Sequence, residues 1–247
     1  IPPRIDYAIR IEGALLPHIT KNVHQLWRRI SWMHLRRPSH LSIQPKNKHH
    51  AFDTSTGIQA AFVIRDNVLH RRDIEDAYLD AINNAQSEII IANAYFVPGR
   101  KFRKALVDAA KRGVKVKLLL QGKMEYFLMF AAHAFYSVFL KNGIEIYEYR
   151  KSFMHSKVAV IDSYWATVGS SNIDPFSLLL AHEANVLIQD HAFATELRLD
   201  IESSMQNVHQ ITPEAWVNGN IMQRCISWMA YGLVRFFLGV IGYSKEQ

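Results

Sequence analysis

Five side chains within residues 154–175 could act together on an anionic ester. They are His155, Lys157, Asp162, Ser170 and Asn172. Histidine carries a proton near neutral pH and can also attack phosphorus directly. A lysine neutralises a non-bridging phosphate oxygen, while a serine and an asparagine donate hydrogen bonds to the others. These residue types predict a phosphate-ester site and leave open whether the histidine is the nucleophile or the proton carrier.

Two strands joined by a tight turn would bring these side chains together. Residues 157–162 and residues 165–170 both read as strands, and only Ser163 and Tyr164 separate them. This spacing predicts a hairpin whose second strand returns beside the first. Small residues just beyond the second strand would let backbone N–H groups approach a ligand.

Strand geometry also assigns the reactive side chains to faces. Because side chains alternate along a strand, His155 and Lys157 share one face, and Asp162 lies on the other. A catalytic histidine needs a carboxylate to orient its second ring nitrogen, and Glu183 is our candidate. Because the lysine supplies the cation, we expect no metal and no other cofactor.

The surrounding sequence alternates strands with helices. Predicted strands at residues 87–96, 114–120 and 144–149 are separated by helices at residues 100–112 and 124–141, each ending at a glycine. Further predicted elements are strands at 5–11, 58–64 and 183–188, and helices at 14–30, 73–85 and 191–208. This alternation predicts an α/β fold in which helices cover a sheet. The apolar helix at 124–141 is either a core helix or a lipid-facing wall of the site.

A weak internal repeat links the N-terminal segment with a later part of the chain. An acid, an apolar strand and an amphipathic helix begin at Asp6 and again at Glu183, 177 positions later. Either the two units match by chance, or a first copy of the reactive motif belongs before Ile1 and has been cut away. The start of the chain at Ile1, without an initiating methionine, favours the second interpretation.

Composition places the chain among globular proteins with one unusual segment. Nearly half of its 247 residues are apolar, and its net charge is +7. The excess lies between Lys21 and His50, which hold seven basic residues and no acid. This segment suits an anionic membrane or nucleic acid, or is a solvated linker. The single cysteine, Cys225, excludes an internal disulfide framework.

The C-terminal stretch at residues 221–243 is long and apolar. Arg224 and Arg235 interrupt it and share one helical face, because eleven residues bring a helix back to nearly the same side. The opposite side carries large apolar residues that include Trp228, Phe236 and Phe237. Since a central arginine costs about 2.5–3.5 kcal/mol on insertion scales, we favour an interfacial helix over a core helix or a true span.

The reactive motif resembles the HKD motif of the phospholipase D superfamily. The matching residues are His155, Lys157, Asp162, Gly169, Ser170 and Asn172. Residues 89–122, 144–162 and 165–186 look like the second half of a bacterial cardiolipin synthase, most like the B type. Residues 6–13 look like the segment that follows the first motif in those enzymes. The resemblance covers about residues 5 to 200.

This resemblance implies a phospholipase D-like domain, a mixed β-sheet with helices on both faces, that catalyses transphosphatidylation. A histidine of one motif attacks phosphatidylglycerol, glycerol leaves, and a second phosphatidylglycerol then displaces the histidine to give cardiolipin. By analogy, His155 protonates the leaving glycerol and then activates the acceptor, whereas Asp162 is structural. The implied partners are phosphatidylglycerol, an anionic membrane, and the first half or a second copy of this chain. Nucleic acid is not expected, and the implied location is the cytoplasmic face of a bacterial inner membrane.

Four regions follow from these patterns. Residues 1–30 would belong to a preceding domain, residues 31–57 to a basic linker, residues 58–210 to the HKD domain, and residues 211–247 to a membrane-associating helix. Two rival functions stay open. One is a phosphodiesterase, either a nuclease or a phospholipase D hydrolase, that completes its site by dimerisation. The other is a catalytically inactive membrane-binding module.

Overall fold

The computed structural model describes residues 4–33, 57–123, 127–206, 208–219 and 221–240. Most of the predicted basic linker, residues 34–56, lies outside the described residues. So do residues 124–126 of the predicted helix and the last seven residues of the chain.

Eight strands in the described part of the chain form one mixed sheet. They are β1 (Gln59–Arg65), β2 (Glu88–Asn93), β3 (Lys115–Gln121), β4 (Glu145–Tyr149), β5 (Lys157–Ile161), β6 (Trp165–Gly169), β7 (Glu183–Gln189) and β8 (His209–Ile211). Their order across the sheet is β1-β7-β6-β5-β2-β3-β4-β8. Strands β2, β3 and β4 run parallel, and all other neighbours are antiparallel. The predicted hairpin of β5 and β6 is confirmed.

Nine helices are found in the described part of the chain. They are α1 (Leu16–Met33), α2 (Asp73–Asn84), α3 (Arg100–Lys111), α4 (Phe127–His133), α5 (Tyr136–Lys141), α6 (Pro175–Leu179), α7 (His191–Met205), α8 (Pro213–Val217) and α9 (Ile221–Val240). Helices α2 to α5 and α9 cover one face of the sheet, and α7 covers the other. The predicted α/β fold with helices on both faces is confirmed.

The two faces of β5 illustrate why both cores form. Ala159 and Ile161 belong to the apolar cluster beneath α2 and α3, whereas Val158 and Val160 belong to the cluster beneath α7. All four are at most 3% exposed, so the strand contributes to both cores at once.

The prediction of one continuous helix at residues 124–141 is wrong, because the described part of this segment forms two helices. Helix α4 ends at His133, and α5 starts at Tyr136 after two tighter turns in which Ala134 and Phe135 donate to carbonyls three residues back. His133 is tied to the buried carboxylate of Glu148, a tertiary contact that the helical period does not report. Residues on both sides of the break are buried, which supports the core interpretation of this segment.

The predicted strand at residues 5–11 is also not formed. Only Ile5 makes a β-bridge, a parallel one to Met154, because no described strand runs along the rest of the segment. Apolar side chains of the segment, including Ile9 and Ile11, pack instead against the core beneath α7.

Helix α9 packs onto α4 through a stripe of small and medium side chains. Ser227, Ala230 and Val234 are at most 2% exposed, and Tyr231 meets Phe135 with ring centroids 4.7 Å apart. Within the described residues, no helix is long and apolar enough to cross a membrane.

Candidate functional site

The site lies where β5 begins, at the carboxyl ends of the parallel strands β2 and β3. Lys157 pairs with Asn93, the last residue of β2, so the residues before Lys157 emerge at that edge of the sheet. Two side-chain amides fix the loops there. Asn93 accepts from the backbone N–H of Ile173 at 3.2 Å, and Gln121 accepts from that of Met154 at 3.0 Å. Sequence reasoning missed both amides, because each lies in an apolar strand that otherwise reads as core.

His155 is held against the N-terminal segment. Its backbone N–H donates to the carbonyl of Ile5 at 2.8 Å, and Ile5 donates to Phe153 at 2.9 Å. These bonds bring Asp6 to the histidine, with 3.1 Å between the histidine Nδ1 and the carboxylate Oδ2. The imidazole is 36% exposed, so part of the ring can be reached by a ligand.

The carboxylate that contacts the His155 imidazole in the structure is that of Asp6, and the assignment of the orienting role to Glu183 stays a prediction. The carboxylate of Glu183 instead accepts a hydrogen bond from the Ser170 hydroxyl. Asp6 escaped the sequence reasoning because it lies 149 residues from the histidine. The repeat that aligns Asp6 with Glu183 was the signal that could have found it.

Lys157 lies at the centre of the site. It is 5% exposed, and its Nζ donates to the carbonyl of His155 at 2.7 Å. Burial lowers the pKa of Lys157 to about 8, while the negative charges of Asp6, Glu183 and Asp174 oppose that shift. The ammonium group is thus within electrostatic reach of three carboxylates from three separate parts of the chain.

Ser170 is positioned by the pairing of β6 with β7. Its backbone N–H donates to the carbonyl of Ala184 at 2.9 Å, and its hydroxyl accepts from the N–H of Ala184 at 3.0 Å. The preceding residue must be small, since a Cβ on Gly169 would lie 2.6 Å from the Ala184 carbonyl oxygen and would overlap the amide of Asn185. Burial raises the pKa of Glu183, and the hydrogen bond from Ser170 acts in the opposite direction.

Asn172 and Asp174 follow on the same loop. The side-chain oxygen of Asn172 is buried and has no hydrogen-bond partner among the described residues. Asp174 is 2% exposed and caps α6 by accepting from the backbone N–H groups of Phe176 and Ser177. Burial raises the pKa of Asp174. Buried polar atoms are rarely left without a hydrogen bond. We therefore expect the side-chain oxygen of Asn172 to accept a hydrogen bond from a group outside the described residues.

Asp162 lies in the turn at the other end of β5, away from the other motif residues. Its carboxylate accepts from the backbone N–H groups of Gln86, Ser87 and Glu88 at 2.8–2.9 Å. Burial raises the pKa of Asp162, but these hydrogen bonds together bring it below its usual value. These hydrogen bonds connect the β5–β6 turn to the start of β2, which is the geometry of a residue that stabilises the fold.

The predicted membrane-associating residues all belong to α9. Arg224 is half-buried beside Trp216, whereas Arg235 is exposed. Trp228 and Phe236 are 55% and 64% exposed. The side chain of Phe237 lies outside the described part of the chain.

A family model decides the classification of the chain. The model described as "Cardiolipin synthase, PLD-like domain" matches residues 78–205, more than half of the sequence. The chain belongs to this family. The match includes all the HKD motif residues and confirms the family expected from them.

Individual relatives agree with this assignment. The chain is 37% identical over 241 residues to cardiolipin synthase B of Salmonella typhi, a match that covers 96% of this chain and 57% of that relative. It is 35% identical over 172 residues to a probable cardiolipin synthase of Bacillus subtilis, covering 69% of this chain and 34% of that protein. The chain therefore spans little more than half the length of the synthase B relative.

A solved structure shares the fold. Nuc from Salmonella typhimurium, a phospholipase D family member, aligns with a TM-score of 0.54 and 21% identity, covering 63% of this chain and 99% of that one. At this identity the likeness concerns the fold alone.

Proposed function

We propose that this chain supplies one half of a phosphatidyltransferase site that makes cardiolipin from phosphatidylglycerol. The observation that carries the proposal is the convergence of His155, Lys157, Ser170 and an orienting carboxylate, Asp6, at one edge of the sheet. Similarity to cardiolipin synthases over most of the chain supports the choice of substrate.

The charges at this edge support the idea of a half-site. Lys157 interacts electrostatically with the three carboxylates of Asp6, Glu183 and Asp174, and Arg4 is a second cation within electrostatic reach of it. A phosphate anion would add to the negative charge unless another cation joined it. A second HKD motif would bring a further lysine and histidine.

The two acidic residues of the internal repeat then have matching roles. Asp6 lies in the segment expected to follow a first motif, yet it contacts His155 of the second. By the same relation, Glu183 would orient the histidine of the first motif. This assignment accounts for the electrostatic interaction of Glu183 with Lys157 and for the hydrogen bond that its carboxylate accepts from Ser170.

The reaction then proceeds in two displacements. The first-motif histidine attacks phosphorus in phosphatidylglycerol, the bond from phosphorus to the glycerol oxygen breaks, and His155 gives its proton to that oxygen. His155 next removes a proton from the hydroxyl of a second phosphatidylglycerol, which attacks phosphorus and breaks the bond to the histidine. Lys157 neutralises phosphate charge in both steps.

Membrane binding belongs to the same proposal. The exposed apolar side of α9 would lie in the headgroup region of an anionic bilayer, and the enzyme would be peripheral on the cytoplasmic face of the inner membrane. The regions proposed from the sequence would then be a preceding-domain remnant at 1–30, a linker at 31–57, the HKD domain at 58–210 and the membrane helix at 211–247.

A reconstitution experiment tests this function. The chain is incubated alone and with a first half that carries an HKD motif, in parallel with phosphatidylglycerol vesicles and with plasmid DNA. Cardiolipin formed only when both halves are present would support the proposal. Cleaved DNA, or cardiolipin formed equally by a His155→Ala chain, would contradict it.

A further inference from the structure

A groove with an apolar strip along its wall opens beside the reactive residues, between helix α1 and strand β1. Its volume is about 250 Å³, and its wall includes Ser170 and Glu183 of the site. Helix α1 is held over the strand at two points, by His18 packed edge-on against Phe62 and by Arg29 paired with Asp66. The groove is thus continuous with the place where phosphorus would react.

The lining of the groove combines apolar side chains with polar ones, which are Asn22, Gln25, Arg29, Arg65, Asp66, His70 and His182. Val23 and Leu26 contribute from α1, Phe62 and Ile64 from β1, and Leu69 from the loop that follows. Val23 and Leu26 remain 41% and 38% exposed although they face this cleft. Exposed apolar side chains that border a concave surface next to a reactive centre are typical of a ligand subsite.

We infer that this groove holds an acyl chain of the phosphatidyl group whose phosphate lies at Lys157 and Ser170. The inference rests on the proposed function for the phosphate end and adds the position of the lipid end. A phosphatidyl group needs an apolar path that starts at the phosphate, and this groove starts at Ser170 and Glu183. The Arg29 guanidinium on its wall is paired with Asp66, so the groove offers an acyl chain no unpaired charge at that point.

Binding to the chain itself tests the inference without turnover. The probes are dihexanoyl phosphatidylglycerol, kept monomeric, and glycerophosphoglycerol, which has the same headgroup and no acyl chain. We expect the wild-type chain to prefer the acylated probe by about tenfold or more, since each buried methylene favours binding. Leu26→Asp should reduce that preference to about threefold or less.

A matched control distinguishes a change in the groove from the loss of an exposed leucine elsewhere on the surface. Leu199 is 56% exposed on α7 and does not line the groove, so Leu199→Asp should keep the wild-type preference. A Leu26→Asp variant with the full preference, or a wild-type chain with none, would overturn the inference.

A photolabel provides a second readout on the unmodified protein. Phosphatidylglycerol with a diazirine on its acyl chain should label peptides containing Val23, Leu26 or Phe62, whereas labelling confined to α9 would overturn the inference.

The acyl-chain groove and the transferase function can be contradicted independently of each other. If the acyl preference depends on Leu26 but no cardiolipin forms, the acyl-chain groove is supported and the transferase function is contradicted. If cardiolipin forms but no such preference is found, the transferase function is supported and the acyl-chain groove is contradicted.

Discussion

At the scale of single residues, Lys157 and Asp162 occupy opposite ends of one strand and differ in what surrounds them. Lys157 is buried among carboxylates at the reactive edge, whereas Asp162 is bound by backbone N–H groups at the turn. A charged group that binds a ligand, as proposed for Lys157, keeps some of its hydrogen-bonding capacity for that ligand. A charged group that stabilises the fold, such as Asp162, forms its hydrogen bonds within the protein. Their different surroundings predict different consequences for substitution and pH.

Asp162→Ala should lower stability and leave the chemistry intact. The loss of hydrogen bonds to a charged acceptor, three of them from backbone N–H groups, should cost about 2 kcal/mol, or about 4–8 °C in Tm. The pKa of Asp162 is lowered in the folded state, so its contribution is fully present above the unfolded pKa of about 4 and is lost as pH falls through the folded value. Thermal melts between about pH 3 and 7 measure both effects. An unchanged Tm across this range would show that the tie is dispensable.

Lys157 should lose its proton near pH 8 in the ligand-free chain. Burial lowers its pKa, so phosphate binding should weaken as pH rises through about 8, where the ammonium becomes neutral. An NMR titration of the lysine side chains, with Lys157→Met to assign the signal, measures this pKa directly. A midpoint near the unperturbed lysine value of about 10.4 would contradict the buried environment described for the site.

At the scale of elements, the β6–β7 pair carries the serine and Glu183, and its spacing depends on a glycine. Gly169→Ala would place a methyl group against Asn185 and Ala184 of the neighbouring strand. We expect a loss of about 1–3 kcal/mol from overpacking and a displaced Ser170 hydroxyl. The control is Gly232→Ala in α9, where nothing lies within 4 Å, and which should be neutral or stabilising by up to about 1 kcal/mol. Chemical denaturation compares the two, and equal effects would refute the role of strand spacing.

Helix α9 should bind anionic membranes through its exposed apolar side. The double substitution of Trp228 and Phe236 by Gln removes apolar surface that the fold leaves exposed, and the buried stripe against α4 stays intact. Co-sedimentation with phosphatidylglycerol vesicles should fall at least about threefold, whereas Leu199→Gln on α7 should behave as wild type. If the double variant sediments with vesicles as the wild type does, the proposal that α9 binds the membrane is contradicted.

The hairpin and most helices could be predicted because their signals are local. The turn between β5 and β6 follows from strand period and spacing, and the ends of α3 and α5 follow from Gly113 and Gly143, which adopt φ of 93° and 76°. Strand β8 has three residues and no period to read. The break before α5 and the contact of Asp6 with His155 depend on residues distant in sequence, so periodicity could not supply them.

At the scale of the whole molecule, the sheet edge gathers groups from the N-terminal segment and from residues 155–183 into one charged site. The segment at 4–12 adds no strand to the sheet, yet it delivers Asp6 to the histidine of the HKD motif. This arrangement makes sense if each half of a two-motif enzyme orients the histidine of the other. His155 would then act as the acid and base, and the nucleophile would come from the first motif.

The leaving group of the substrate tests this division of labour most directly. In the reconstituted enzyme, His155→Ala should slow the reaction with phosphatidylglycerol by about 10²–10⁴-fold, because glycerol needs a proton to leave. With phosphatidyl-p-nitrophenol, whose leaving group needs no proton, the same variant should still release a burst of about one p-nitrophenol per site before turnover stalls. A variant that gives no burst would identify His155 as the nucleophile and contradict the account.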